Sequence, residues 1–217
     1  MTLAHGRSRL RTATITAAAG IAFGLTGVLL GAALDAVRGN RMAPWILGRA
    51  SGVCAYVLLV AVVVMGLLLA HPARARNGGS SAGRIRIHIA LALFAFAFTA
   101  LHVVVLATDR WAGVGWWGIV APLSAAYRPV PVTLGLFGVW TGLLVGVTAA
   151  LAGRLPRRAW WPLHKLAGAS LVLIWLHGVL AGGDTPALMA AYVGSGALVV
   201  AIALWRYNAR RADGPVR

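Results

Sequence analysis

Polar residues cut this chain into long apolar runs. Stretches of the ~20 residues needed for a helix to cross a bilayer core of about 30 Å occupy roughly 13–36, 45–70, 86–108, 132–153, 162–181 and 186–206. The pattern predicts an all-α polytopic membrane protein. Its core is a six-span transmembrane helical bundle over 13–206, with tails at 1–12 and 207–217. The first run follows Arg7, Arg9 and Arg11 and contains Gly31-Ala32-Ala33-Leu34-Asp35-Ala36, in the manner of a signal peptide. It exceeds the usual hydrophobic region of about 7–15 residues, so it is read as a span.

Composition agrees with lipid as the solvent. With 60% hydrophobic and 11% charged residues, and a mean hydropathy of +0.82, a water-soluble domain could not cover its surface. The net charge of +16 comes from 20 Lys+Arg against four Asp and no Glu, a balance that in isolation suggests nucleic acid. Here the arginines fall in the gaps between apolar runs. That is how topology-setting charges are distributed, and it argues for membrane lipid as the partner and against nucleic acid.

Loop charges orient the chain. With the N-terminus inside, one set of segments holds Arg7, Arg9, Arg11, Arg74, Arg76, Arg84, Arg86, Arg154, Arg157, Arg158, Arg206, Arg210, Arg211 and Arg217. The other set holds Arg38, Arg41, Arg110 and Arg128 with Asp109 and Asp184. The positive-inside rule then predicts a cell-membrane protein with both termini cytoplasmic. The stretch Asn77-Gly78-Gly79-Ser80-Ser81 reads as a flexible inner loop. Trp111, Trp116 and Trp117 read as an aromatic belt at the outer interface.

Candidate chemistry rests on histidines. Four of the six lie inside spans, where an ionisable or metal-binding side chain is costly and marks function. His88 and His102 are 14 residues apart on the third span, about 21 Å and within ~40° of four whole turns, so they share a face. His164 and His177 are 13 residues apart on the fifth, about 19.5 Å, and an ideal helix would leave them ~140° out of phase. Tilt, a π-bulge or a 3₁₀ turn would absorb the misfit. His5 and His71 fall outside the runs and are read as solvated.

The third and fifth spans run parallel in this topology, which levels His88 with His164 and His102 with His177. Two imidazoles at each level are the axial ligands of a six-coordinate heme. The expectation is two b-type hemes carrying electrons across the membrane. Ala92, Ala95 and Thr99 near the histidine stripe, and Gly168 one turn after His164, leave room for a porphyrin. Phe98 and Trp175 lie between the levels and read as packing aromatics. Ligands ~20 Å apart cannot share one zinc or copper ion. Cys54 is the single cysteine, so no iron–sulfur set exists within the chain. No nucleotide fingerprint appears either. Electrons must come from a partner.

These residues resemble the ferric reductase-like transmembrane domain, the family of NADPH oxidases, ferric-chelate reductases and the heme-binding membrane subunit of the bacterial periplasmic methionine sulfoxide reductase system. The resemblance covers roughly 45–182 and is carried by the histidine pairs, whose 13-residue misfit recurs in the family. It implies that His88 and His164 bind the inner heme and His102 and His177 the outer one. Leu47-Gly48-Arg49, Arg128-Pro129 before Thr133-Leu134-Gly135, and Trp161 before Leu163-His164 are similar to the methionine sulfoxide reductase subunit. That subunit lacks an equivalent of His88, so the match points to the wider two-heme group.

The same resemblance makes Arg49 a candidate partner for an outer heme propionate, and Lys165 and Arg86 for an inner one. An interfacial arginine that snorkels to headgroups is the competing account. The flavin and nicotinamide domain common in the family is not seen here, so flavin enters only through a partner. The donor is then a cytoplasmic flavin reductase or quinol, and the acceptor lies at the outer face, where an extracytoplasmic redox protein is one candidate. Two alternatives remain. One is a membrane subunit of a periplasmic methionine sulfoxide reductase-type oxidoreductase; the other is a small transporter or membrane assembly protein with structural histidines.

Overall fold

The backbone must hydrogen-bond to itself wherever lipid replaces water, and a continuous helix does this within one segment. The computed structural model describes residues 42–72 and 82–212, and all regular structure among them is helical. The elements are α1 (Ala43–Leu69), α2 (Ala82–Thr108), α3 (Gly115–Gly118), α4 (Pro129–Ala150), α5 (Arg157–His164), α6 (Ala167–Ala181) and α7 (Thr185–Ala212). Five segments are long and apolar enough to cross a membrane: α1, α2, α4, α5 with α6, and α7. Side chains such as Leu93 and Phe94, 65% and 60% exposed, form the lipid-facing surface of such helices. The expected first span, the tail at 1–12 and the 77–81 loop lie outside the described residues.

Helix ends differ from the apolar runs for local reasons. Pro129 and Pro131 are tolerated in the first turn, where a missing N–H costs nothing, so α4 starts three residues before the apolar run. Beyond residue 206 the chain has no Gly or Pro before Ala212, and α7 runs to Ala212 rather than ending with the apolar stretch. The fifth span is two helices. Pro162 has no N–H and disturbs the turn before it. After it, Lys165 N bonds to the Pro162 carbonyl, Leu166 N to Leu163 and Gly168 N to Lys165, the i→i−3 pattern of a 3₁₀ turn.

Glycines set the helix registers. On α1, a Cβ at Gly48, Gly52 or Gly66 would meet Leu106, His102 or His88 of α2. Four residues forward on one helix match four back on the other, and fourteen match fourteen. α1 and α2 are therefore antiparallel. On α4, Gly135, Gly138 and Gly142 face His177, Ile174 and Ser170 of α6 in the same stepwise way, and the Ser170 hydroxyl donates to the Gly138 carbonyl at 2.8 Å. This is the small-residue packing that lets membrane helices approach closely.

The last helix closes the bundle through aromatic contacts. Tyr56 of α1, Leu171 of α6 and Tyr192 of α7 form a buried cluster, with the two tyrosine rings 5.2 Å apart. The Tyr56 and Ser195 hydroxyls bond to one another. The Trp175 indole N–H donates to the Tyr192 carbonyl, which assigns Trp175 to the α6–α7 contact. His71, expected in water, is buried and stacks on Trp205 at 3.8 Å. Its neighbour Arg206 donates to the Ala70 carbonyl, so these contacts join the ends of α1 and α7.

A valine at Gly138 would put its Cβ within 2.7 Å of Ile174. Overpacking of this kind costs ~1–3 kcal/mol. Gly138→Val is expected to lower the thermal unfolding midpoint in detergent.

Candidate functional site

Four histidines meet in two pairs. His88 of α2 and His164 at the end of α5 have ring centroids 6.3 Å apart with planes at 70°. His102 of α2 and His177 of α6 repeat the 6.3 Å spacing at 78°. Along α2 the levels are separated by 14 residues, about 21 Å.

The phase problem of the fifth span is reduced by its break. A 3₁₀ turn advances about 120° per residue instead of about 100°. The three i→i−3 bonds around Lys165 and Leu166 therefore recover about 60° of the ~140° deficit. Both histidines then face α2.

Each ring of the second pair is seated on a neighbouring helix. The His102 Nδ1–H donates to the Gly48 carbonyl at 2.7 Å, and the His177 Nδ1–H to the Pro131 carbonyl at 2.9 Å. One turn beyond each acceptor stands a glycine. A Cβ at Gly52 would lie 2.8 Å from the His102 ring, and one at Gly135 would lie 2.7 Å from His177 Nδ1. Glycine is required there because the ring occupies the space of a side chain. With Nδ1 carrying the proton, Nε2 is left with the lone pair, which is the atom that ligates a metal.

The first pair is held differently. His164 packs against Trp160 at 5.6 Å and is stacked on Trp161 at 6.1 Å. His88 lies beside Gly66, where a Cβ would come to 3.4 Å. The Val62 carbonyl approaches His88 without completing a bond, and the buried Nδ1 atoms of both His88 and His164 have no hydrogen-bond partner.

The spacing separates two kinds of imidazole pair. Rings joined by an N–H···N bond of ~2.9 Å would have centroids ~5.2 Å apart. Rings ligating one ion from opposite sides at ~2.0–2.1 Å would have them ~6.2–6.5 Å apart. The observed 6.3 Å at both levels is too long for that bond; it agrees with the second range and also with edge-to-face ring packing at about 4.5–7 Å. Among the described residues no cluster of three or more His, Cys, Asp or Glu could enclose an ion. Each pair supplies two imidazoles and no further protein ligand, so a metal held there would need its remaining ligands from a group such as a porphyrin.

Two of the three candidate cationic residues, Arg49 and Lys165, contact other side chains. Arg49 forms an ion pair with Asp184 at 2.6 Å and lies over the Trp45 ring at 4.0 Å. It thereby ties the start of α1 to the turn before α7, directly beside the Gly48 carbonyl that receives His102. Lys165 sits in the break with its ammonium 6.0 Å from the Trp161 ring. Gly168 lines no contact, and Ala95 is buried under Thr99, which donates back to its carbonyl.

The connector before α4 fixes the acceptor for His177. Arg128 takes a left-handed conformation at φ 38° and donates to the Leu180 carbonyl, while the Tyr127 hydroxyl donates to Ala181. Leu123 N bonds to the Thr133 hydroxyl at 2.8 Å. Trp111, Trp116 and Trp117 of this connector are exposed. No protein-family model, curated protein or solved structure matches the chain.

The sequence reading named Gly48 and Gly135 only within the stretches that carry the resemblance, and it did not single out Gly52, Gly66 or Pro131. One signal was present: Gly52 and Gly66 are separated by the same 14 residues as His88 and His102.

The Arg49–Asp184 bridge is partly exposed on both sides, at 25% and 47%. Such pairs contribute about 1 kcal/mol or less. Asp184→Asn is expected to lower the unfolding midpoint by that small amount at low ionic strength and by less at high salt. A loss of several kcal/mol, unchanged by salt, would contradict this assignment.

Proposed function

We propose that this protein is a membrane electron carrier that holds two b-type hemes, one between His88 and His164 and one between His102 and His177. The observation that carries the reading is the 6.3 Å centroid spacing repeated at both levels, with Nδ1 of His102 and His177 committed to backbone carbonyls. Heme held by two imidazoles supplies a one-electron couple with no open position at the iron. The chain's own residues seat the rings, exclude water and space the two levels. At about 21 Å apart, the levels span most of an apolar core of about 30 Å.

Arg84, Arg86, Arg154, Arg157, Arg158 and Lys165 lie towards the His88 end. The positive-inside rule makes that end cytoplasmic. A flavin-bearing reductase or quinol then delivers electrons near His164, and an acceptor at the opposite face takes them near His102. The reading is that of a ferric reductase-like membrane subunit that receives electrons from a flavin-bearing or quinol donor.

The reduced-minus-oxidised absorbance spectrum of the detergent-purified protein, with heme quantified per chain, tests this. Two low-spin b-type hemes are expected in the wild type, falling toward one in His102→Ala. Colourless wild-type protein from cells with ample heme would refute it and favour histidines that serve packing alone.

A further inference from the structure

The four histidines are not held alike. His102 and His177 each donate from Nδ1 to a carbonyl on a neighbouring helix, and a glycine one turn later makes room for each ring. The buried Nδ1 atoms of His88 and His164 make no hydrogen bond of ordinary geometry, although the Val62 carbonyl, one turn before Gly66, approaches His88 as the Gly48 carbonyl does His102. Gly66 stands beside His88 as Gly52 stands beside His102, but at 3.4 Å instead of 2.8 Å. The ring of His88 is correspondingly less deeply seated.

This difference has an electronic consequence. An imidazole that donates its distal N–H to a carbonyl is a more basic ligand, and a more basic ligand favours the oxidised, more positive iron. Formal charge acts in the same direction. Arg84, Arg86, Arg154, Arg157 and Lys165 cluster towards the His88 end, where the described residues include no carboxylate. Nearby cations favour the reduced, less positive iron. At the other end Arg49 is neutralised by Asp184, and Arg110 and Arg128 are offset in part by Asp109, so that end carries the smaller positive charge.

We propose that Gly52 and Gly135 are positioning residues that seat His102 and His177 on the Gly48 and Pro131 carbonyls, making the His102–His177 site the harder of the two to reduce. The proposal rests on the two-heme reading above. In it, the two sites are electrochemically distinct, and the distinction is written into α1 and α4, which carry no ligand themselves. The glycines act through the histidines and touch nothing that reacts.

Potentiometric titration of the full-length detergent-purified protein tests this, following the low-spin heme bands in wild type, His88→Ala, Gly52→Ala and Gly66→Ala. The wild type is expected to titrate in two waves, with His88→Ala retaining the lower one. Gly52→Ala is expected to move the lower wave upward and leave the upper wave in place. Gly66→Ala, whose added methyl makes only ordinary contact, is expected to move neither. Gly135→Ala provides the same test from the α4 side if Gly52→Ala does not accumulate.

A wild type with two hemes but one wave, or a His88→Ala protein that retains the upper wave, overturns the proposal while leaving the two-heme reading intact. So does an equal shift in Gly52→Ala and Gly66→Ala. Wild-type protein without heme overturns both, and heme quantification before the titration separates the two failures. The order of the two sites, assigned by His88→Ala, decides the matter if the glycine variants misfold.

Discussion

A histidine inside a bilayer-spanning helix brings two ring nitrogens into a region with no water to satisfy them, and each must find a partner in the protein or in something the protein binds. Much of this structure follows from that requirement. At the His102–His177 level one nitrogen of each ring is satisfied by a carbonyl that already belongs to a helix. A carbonyl has two lone pairs, so it can serve its own helix and the imidazole together. The ring must then lie almost on the neighbouring backbone, and only glycine permits that approach. The two rings lie 6.3 Å apart, each with its Nε2 left free of that carbonyl bond. The glycines, the helix registers and the gap are one arrangement.

The same arrangement accounts for which helices pack tightly. α4 and α6 meet along Gly135, Gly138 and Gly142, and the Ser170 hydroxyl adds a bond to the Gly138 carbonyl midway. α1 approaches α2 at Gly48, Gly52 and Gly66. Helices in lipid gain little from burying apolar surface against one another, so close backbone contact and interhelical hydrogen bonds must supply the association. Here those contacts also seat the histidines. Further ties fall near the His102 level: Arg49 to Asp184, Tyr127 to Ala181 and Arg128 to Leu180. They hold the loop ends on which the Gly48 and Pro131 carbonyls depend.

Much of the fold was legible in the sequence because length and apolarity alone define a span, and no side-chain period has to be read. The runs expected at 45–70, 86–108 and 132–153 match α1, α2 and α4 to within a few residues. The pairing of the histidines followed from topology, which needs only the number of crossings between them. What the sequence concealed depends on neighbours. The fifth span was expected to absorb its misfit by tilt, a π-bulge or a 3₁₀ turn, but the i→i−3 bonds that place the break after His164 form only in the folded chain. His71 sits at the edge of an apolar run and reads as solvated, yet Trp205 from the far end of the chain covers it. Arg49 offers a free cation in sequence and is committed to Asp184 in space.

The glycines illustrate the boundary between the two kinds of information most sharply. A glycine in a membrane helix carries no chemistry of its own, and the chain has 27 of them, so composition cannot say which ones matter. Position relative to another helix can. Gly52 and Gly66 repeat the 14-residue interval of His88 and His102 because two straight antiparallel helices in register must place equal intervals opposite one another. On α6 the relation is local: Gly135 is matched to His177, while His164 lies beyond the 3₁₀ turn and takes its support from Trp160 and Trp161 instead. An unbroken fifth span would have carried His164 away from α2. The break brings it back at the cost of a carbonyl partner for its Nδ1, so the local geometry that completes the first pair also makes it differ from the second.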